Sequence, residues 1–343
     1  MVPIRAARGA DARHVDAALN EATTFFSVVV PTRGGEAKLL PLLDALSRQT
    51  IPRNRFEILI AFDGAGVTAG VQERLSTVGA RPVLLSERRG PGAARNAGAR
   101  EARGVWLAFT EDDCRPAADW LERAAARIER DPALQAMEGE TLTPKGRPVR
   151  RRYGTEPTFL PTNLLVARSL FDRIGGYCEH YFDARRGIYF REDSDFGFSL
   201  ENAGATVEVE PTVRVTHPKE HPGFLDPLRW AQRYEMDPLL ERRHPDAFHD
   251  RIEVARLGPF VIRRPFVRTC WAALLALGAA AGTALLGDEG LAVAWLGVVA
   301  LAFVALWAKW RFHPLRLPVL PLVPFVLIAA LARGRRRAAR LMR

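Results

Sequence analysis

The sequence predicts an α/β fold, a mostly parallel sheet with helices on both faces, followed by apolar helices able to cross a membrane. Three observations predict it. Short apolar runs alternate with helix-patterned stretches between residues 25 and 130. Two of those runs end in acidic residues, Asp63 and the triplet Glu111-Asp112-Asp113, as expected of strands whose carboxyl ends face a ligand. The last third contains long stretches without a charged residue. At 343 residues the chain has room for a sizeable core and two structural regions.

The first 24 residues carry scattered arginines and no apolar core, so they read as a short, partly helical extension, not a cleaved signal peptide. Ser27-Val28-Val29-Val30-Pro31 is a buried-strand pattern followed by the turn Thr32-Arg33-Gly34-Gly35, and Leu39, Leu40, Leu42, Leu43 and Leu46 then share a helical face. A second strand pattern runs from Phe56 to Phe62 into Asp63-Gly64, and Pro82-Val83-Leu84-Leu85 follows a helix-compatible stretch. The loop Arg88-Arg89-Gly90-Pro91-Gly92 leads into an alanine-rich helix holding Arg95 and Asn96. Val105 to Phe109 then delivers the acidic triplet, and Trp120, Leu121, Ala124 and Ile128 mark the next helix. Residues 131–160 read as an irregular, basic surface loop. Beyond Pro161-Thr162-Asn163-Leu164-Leu165-Val166 and Gly175-Gly176-Tyr177, the run Glu192-Asp193-Ser194-Asp195 opens a helix that stops at Asn202-Ala203-Gly204. Val207, Val209, Val213 and Val215 form short strand patterns leading to His217-Pro218.

Adjacent carboxylates repel one another and favour protonation unless a cation joins them, and Mg²⁺ or Mn²⁺ suits oxygen donors. The alternative for each acidic cluster is a solvated helix N-terminus, where acids are stabilised by the dipole. A metal-binding cluster on one element and a carboxylate base on another would divide the labour of a group transfer. Gly90-x-Gly92 resembles part of a dinucleotide fingerprint, with Glu111 at the ribose-binding distance. Arg95 replaces its third glycine, however, and two further acids then have no role. The net charge of +10 suits an anionic membrane or a phosphate-rich substrate. Without aromatics interleaved among the basic residues, nucleic acid is not the expected partner. Cys114, Cys178 and Cys270 show neither disulfide-scaffold nor zinc spacing, which favours a reducing compartment.

Taken together, Val28-Val29-Val30-Pro31-Thr32, Asp63-Gly64, Gly90-Pro91-Gly92-Ala93-Ala94-Arg95-Asn96-Ala97-Gly98, Glu111-Asp112-Asp113-Cys114-x-Pro116, Gly175-Gly176 and Glu192-Asp193-x-Asp195 resemble the family 2 glycosyltransferases of GT-A fold. The resemblance covers about residues 25–217. It implies inverting sugar transfer from a nucleoside diphosphate sugar, with Mg²⁺ or Mn²⁺ as cofactor. By position it implies that Pro31, Thr32 and Asp63 line the nucleoside, that Arg89 and Arg95 lie near the diphosphate, and that Asp112 and Asp113 form the ribose-and-metal pair. Asp193 matches the base, Glu192 its support, and His217 a further metal ligand. Glu111 stands where the family usually has aspartate. The Gln-x-x-Arg-Trp signature of processive members is incomplete, because Asp226 precedes Arg229-Trp230, so a single addition is expected.

Residues 218–265 read as an amphipathic, interfacial linker carrying Trp230, Tyr234 and Phe248, and residues 266–343 as a membrane domain. Cys270–Leu286 and Leu291–Ala308 are uncharged, and Trp271, Trp307 and Trp310 stand near their ends. Basic residues flank the outer ends of this pair, which places both ends, and the catalytic domain, on the cytoplasmic side of a plasma membrane. The stretch 317–332 contains Pro318, Pro321 and Pro324 between basic flanks and reads as a re-entrant or interfacial segment, or a third span. The expected partners are a nucleoside diphosphate sugar, a lipid-linked or cell-envelope acceptor and the membrane itself. The competing readings are an inactive nucleotide-sugar-binding scaffold and an NAD(P)-binding oxidoreductase.

Overall fold

The computed structural model describes residues 25–149, 157–218 and 223–341, which fall into two compact units. Residues 25–149, 157–187 and 192–218 make the first, and residues 188–191 and 223–341 the second. The N-terminal extension, Arg150 to Arg152 of the basic loop and the first part of the linker lie outside the described residues.

The first unit is built on one sheet of eight strands. These are β1 (Phe26–Thr32), β2 (Phe56–Asp63), β3 (Ala80–Leu85), β4 (Trp106–Phe109), β5 (Arg115–Pro116), β6 (Ala136–Leu142), β7 (Leu164–Ala167) and β8 (Val207–Thr216). Their spatial order is β3-β2-β1-β4-β7-β6-β8-β5. Strands β1 to β4 pair parallel, β7 runs antiparallel between β4 and β6, and β8 pairs parallel with β6. Two antiparallel steps restore the original direction, so β1, β2, β4 and β8 all release their carboxyl ends at one edge. The packing helices are α1 (Glu36–Ser47), α2 (Ala69–Val78), α3 (Pro91–Arg100), α4 (Trp120–Arg130), α5 (Arg168–Ile174) and α6 (Glu192–Asn202). Val28, Val30, Ile58 and Ile60 from the strands meet Leu39, Leu42, Trp120 and Leu121 from the helices in a continuous core. Gly98 permits this packing, since a Cβ there would lie 2.5 Å from Val29 Cγ1.

The reading of residues 131–160 as a surface loop is corrected by β6, which lies inside the sheet. Its sequence, Ala-Met-Glu-Gly-Glu-Thr-Leu, lacks apolar alternation because Glu138 acts as a buried acceptor. That carboxylate accepts from the backbone N–H of Thr158, Phe159 and Leu160 at 2.6, 3.0 and 3.2 Å. Gly139 is required as well, because a Cβ would strike the Asn163 amide and the Val213 carbonyl. The valines of 207–215 belong to one long strand with an irregularity between Glu210 and Arg214, not to several short ones.

The second unit contains α7 (Asp226–Arg233), α8 (Asp237–Arg243), α9 (Pro245–Arg251), the antiparallel hairpin β9 (Val254–Leu257) and β10 (Phe260–Arg263), α10 (Pro265–Leu285), α11 (Glu289–Lys309) and α12 (Val323–Leu341). Tyr234, Phe266, Trp310, Val323 and Leu327 form its core. Buried charges are paired there: Arg191 Nε donates to Asp237 Oδ1 at 2.7 Å, and Arg264 binds the other oxygen of Asp237. Helices α10 and α11, of 21 residues each, are about 31 Å long, and three segments including Pro314–Leu341 are long and apolar enough to cross a membrane. The prolines of the third segment do not break it. Pro318 and Pro321 lie in a 3₁₀ stretch, and Pro324 falls in the first turn of α12, where a missing N–H costs nothing. Beyond Leu331 the helix continues through its arginines. Gly334 packs there against the backbone of Glu235, whose side chain accepts from Arg333 Nε at 3.0 Å.

Candidate active site

The carboxyl-terminal edge of the sheet collects most of the expected residues. Thr32 ends β1, where Pro31 is half-buried just before it. The Thr32 hydroxyl donates to Asp112 Oδ2 at 2.7 Å while accepting from Gly34 N at 3.0 Å. Asp63 ends β2 and is buried, its carboxylate accepting from Arg89 N at 2.6 Å and from Gly90 N at 3.0 Å. It therefore pins the loop that begins α3. Gly64 makes this approach possible, with φ +66° and no room for a Cβ against Arg88 N. The Arg89 side chain is half exposed and pairs with Glu179 at 2.6 Å.

The triplet follows β4. Glu111 Oε1 accepts from Arg95 Nη2 at 3.2 Å, and Asp113 Oδ2 accepts from Lys38 Nζ at 2.9 Å. His217, just past β8, brings Nε2 to 3.7 Å from Glu111 and 3.6 Å from Asp113. Its Nδ1 sits 2.8 Å from the Pro218 carbonyl, so Nδ1 is the donor to that oxygen and Nε2 is the nitrogen turned to the acids. Ligand atoms of Glu111, Asp113, Cys114 and His217 all lie within 4.8 Å of one another, whereas Asp112 turns to Thr32. Burial and the neighbouring carboxylates push the Cys114 thiol far above its ordinary value, and its soft sulfur is not a donor that Mg²⁺ or Mn²⁺ prefers. Two carboxylates and an imidazole remain, hard oxygen donors with one borderline nitrogen, a set whose carboxylates fit Mg²⁺ or Mn²⁺. Glu111 and Asp112 are both raised, mainly by desolvation. Arg95 opposes the shift at Glu111, and the Thr32 hydrogen bond followed by Lys38 opposes it at Asp112.

Arg95 is the most constrained cation of the site. It is 1% exposed, its guanidinium lies over the Tyr177 ring at 5.3 Å, and its Nε and Nη1 have no hydrogen-bond partner among the described residues. Asn96, next to it, is structural: it bonds Tyr177 through both backbone groups, accepting at Oδ1 and donating from Nδ2, at 2.8 Å each.

Helix α6 carries the second cluster on its first turn. Glu192 is buried, and desolvation followed by the Asp193 charge pushes it up to about 7, with Arg95 acting against the shift. Asp193 is half-buried, its Oδ1 accepting from Ser194 N at 2.6 Å. Asp195 is structural, buried and bonded to the Tyr181 hydroxyl at 3.0 Å. Arg95 senses Glu111 and Glu192 alike, which brings the two clusters into one electrostatic neighbourhood. Sequence reasoning did not identify Lys38, 75 residues from its partner and outside any motif, nor Tyr177 as the platform beneath Arg95. A concavity of about 600 Å³ bounded by Thr50, Pro52, Arg55 and Glu129 lies at the amino-terminal end of β2, away from these groups.

Residues 27–189 match the family described as Glycosyl transferase family 2. The chain is 26% identical to glycosyltransferase AglE of Haloferax volcanii over 204 residues, 54% of this chain and 67% of that protein. It is 36% identical over 98 residues to the N-acetylglucosaminyl-diphospho-decaprenol L-rhamnosyltransferase of Mycobacterium tuberculosis, 29% of this chain but only 28% of the relative. Among solved structures, the mannosyltransferase PcManGT from Pyrobaculum calidifontis, in complex with GDP-Man and Mn²⁺, superposes with a TM-score of 0.53 at 20% identity, covering 94% of this chain and 93% of that one. That likeness establishes the shared fold.

Proposed function

Because this chain carries a family 2 glycosyltransferase domain and is a glycosyltransferase, we propose that it transfers one sugar, with inversion, from a nucleoside diphosphate sugar to a lipid-linked or cell-envelope acceptor. The observation that carries the reading is Arg95: its guanidinium donates to Glu111 at 3.2 Å and leaves Nε and Nη1 without a partner among the described residues. It opposes the upward shifts of both Glu111 and Glu192, which makes it the site's cation for an anionic group. A donor diphosphate supplies such a group, and GDP-Man occupies the related mannosyltransferase.

Thr32 and Asp112 at the end of β1 and β4 are assigned to the nucleoside and ribose, with Pro31 beneath and Asp63 shaping the Arg89–Gly90 loop beside them. Glu111, Asp113 and His217 would hold Mg²⁺ or Mn²⁺, which supplies neutralisation of the charge developing on the departing diphosphate. Lys38 adds a positive charge at the same edge. Asp193 takes the proton of the incoming acceptor hydroxyl as its oxygen bonds to the anomeric carbon. The bond from that carbon to the diphosphate breaks on the opposite face, and the electron pair leaves with the phosphate oxygen. A positioned carboxylate contributes roughly 10²–10⁴-fold in such a step. Glu192, protonated below about pH 7, limits the negative charge beside Asp193.

Helices α10 and α11 are assigned as two membrane spans with both outer ends cytoplasmic, because basic residues flank the pair and Asp288-Glu289 lies between them. The arginine-bearing half of α12 packs on the turn around Glu235, which supports an interfacial course for it. A donor screen on purified protein with Mn²⁺ or Mg²⁺, reading nucleotide release, tests the function. Tight donor binding without release under every acceptor extract would favour the inactive scaffold instead.

A further inference from the structure

We propose that the hairpin β9–β10 is a membrane-surface wedge whose apolar face rests in the headgroup–acyl boundary of an anionic bilayer. This deepens the membrane reading above and rests on it. The register pairs Arg256 with Val261 and Ala255 with Ile262, and cross-strand partners share a face. Arg256, Val261 and Arg263 therefore line one side of the ribbon, and Ala255, Phe260 and Ile262 the other. Phe260 is 70% and Ile262 38% exposed on one side, and Val261 47% on the other, so Phe260 is largely uncovered and its two neighbours are only partly covered by the protein. A two-stranded ribbon with exposed apolar residues is marginal in water, and neither outer edge is paired with a further strand among the described residues.

Chain reach identifies the occupant. β10 ends two residues before α10 begins at Pro265, so Phe260 lies at most about 18 Å along the chain from the start of an apolar helix long enough to span. The unpaired edges need water or headgroup oxygens, which fixes the depth at the interface and not in the hydrocarbon. Arg256 is exposed, and Arg268 follows within the first turn of α10, so basic side chains flank the apolar ones, as on peripheral segments that bind anionic lipid.

The test uses full-length protein with Cys178→Ser, in nanodiscs of phosphatidylethanolamine and phosphatidylglycerol, with an environment-sensitive fluorophore on a single introduced cysteine. Phe260→Cys reports the hairpin, Leu296→Cys the middle of α11, and Glu129→Cys an exposed position of the first unit. The label at 260 is expected to be quenched by lipid spin-labelled near the headgroup, and to be about fivefold less accessible to aqueous iodide than the label at 129. A label at 296 quenched by deep spin label, with 260 as accessible as 129, overturns the wedge and leaves the spanning reading standing. Failure at 296 with quenching at 260 removes the spans and keeps the wedge as a surface contact. Shielding of 260 from iodide without lipid quenching assigns the face to a second copy of the chain and overturns the proposal.

Discussion

The carboxylates after β4 lie beside the Thr32 hydroxyl, the cations Lys38 and Arg95, and Nε2 of His217, whereas Glu192 at the start of α6 is buried and holds its proton to about pH 7. The same residue types are thus set to different tasks by their surroundings. A cluster already facing positive charge, with Nε2 of His217 turned to it, is suited to a metal and a diphosphate. A pair that resists double ionisation is suited to handling a proton.

The sharpest way to break this contrast is to exchange the charge of one member at a time. Asp193→Asn is expected to bind donor normally yet turn over at least ~10²-fold more slowly; comparing donor titration with nucleotide release checks it, and normal turnover removes Asp193 as the base. Arg95→Met withdraws the cation that both clusters face. Because it strands a carboxylate against an apolar replacement, it should lower unfolding stability by about 3 kcal/mol, read from denaturant midpoints. Asp113→Ala should weaken Mn²⁺-dependent donor binding by about tenfold or more, measured calorimetrically, while metal-free binding changes little. The smallest effect belongs to Glu192→Gln. In the native protein Glu192 keeps a proton that the unfolded chain has already lost between about pH 4.3 and 7, so its contribution makes stability fall as pH rises through that window. The variant should show a shallower decline in melting temperature from about pH 5 to 7.5, and an unchanged profile would place the raised pKa elsewhere.

Much of the first unit was legible because its strands are continuous apolar runs buried on both faces. The convergence of Asp63 and the triplet followed from strand direction alone. The exceptions have physical causes. β6 escaped notice because Glu138 is an internal acceptor for the segment Thr158–Leu160, so an acid stands where an apolar residue would signal a strand. The resemblance placed Asp63 beside the nucleoside; its carboxylate is turned to the backbone of Arg89 and Gly90, a role only the folded loop reveals. Lys38 reaches Asp113, in the turn after β4, from helix α1, a pairing that no spacing encodes. In the second unit the hairpin was hidden in a stretch read as an amphipathic linker, although Gly258-Pro259 between apolar residues is a turn signal.

The central claim is that Asp193 serves a single displacement across a diphosphate held at the other cluster. The direct test is the anomeric configuration of the sugar first released when the purified enzyme slowly hydrolyses its donor without acceptor, followed by proton NMR before mutarotation. The account predicts the configuration opposite to the donor's. Retention of the donor's configuration would contradict a single in-line displacement with Asp193 as its base.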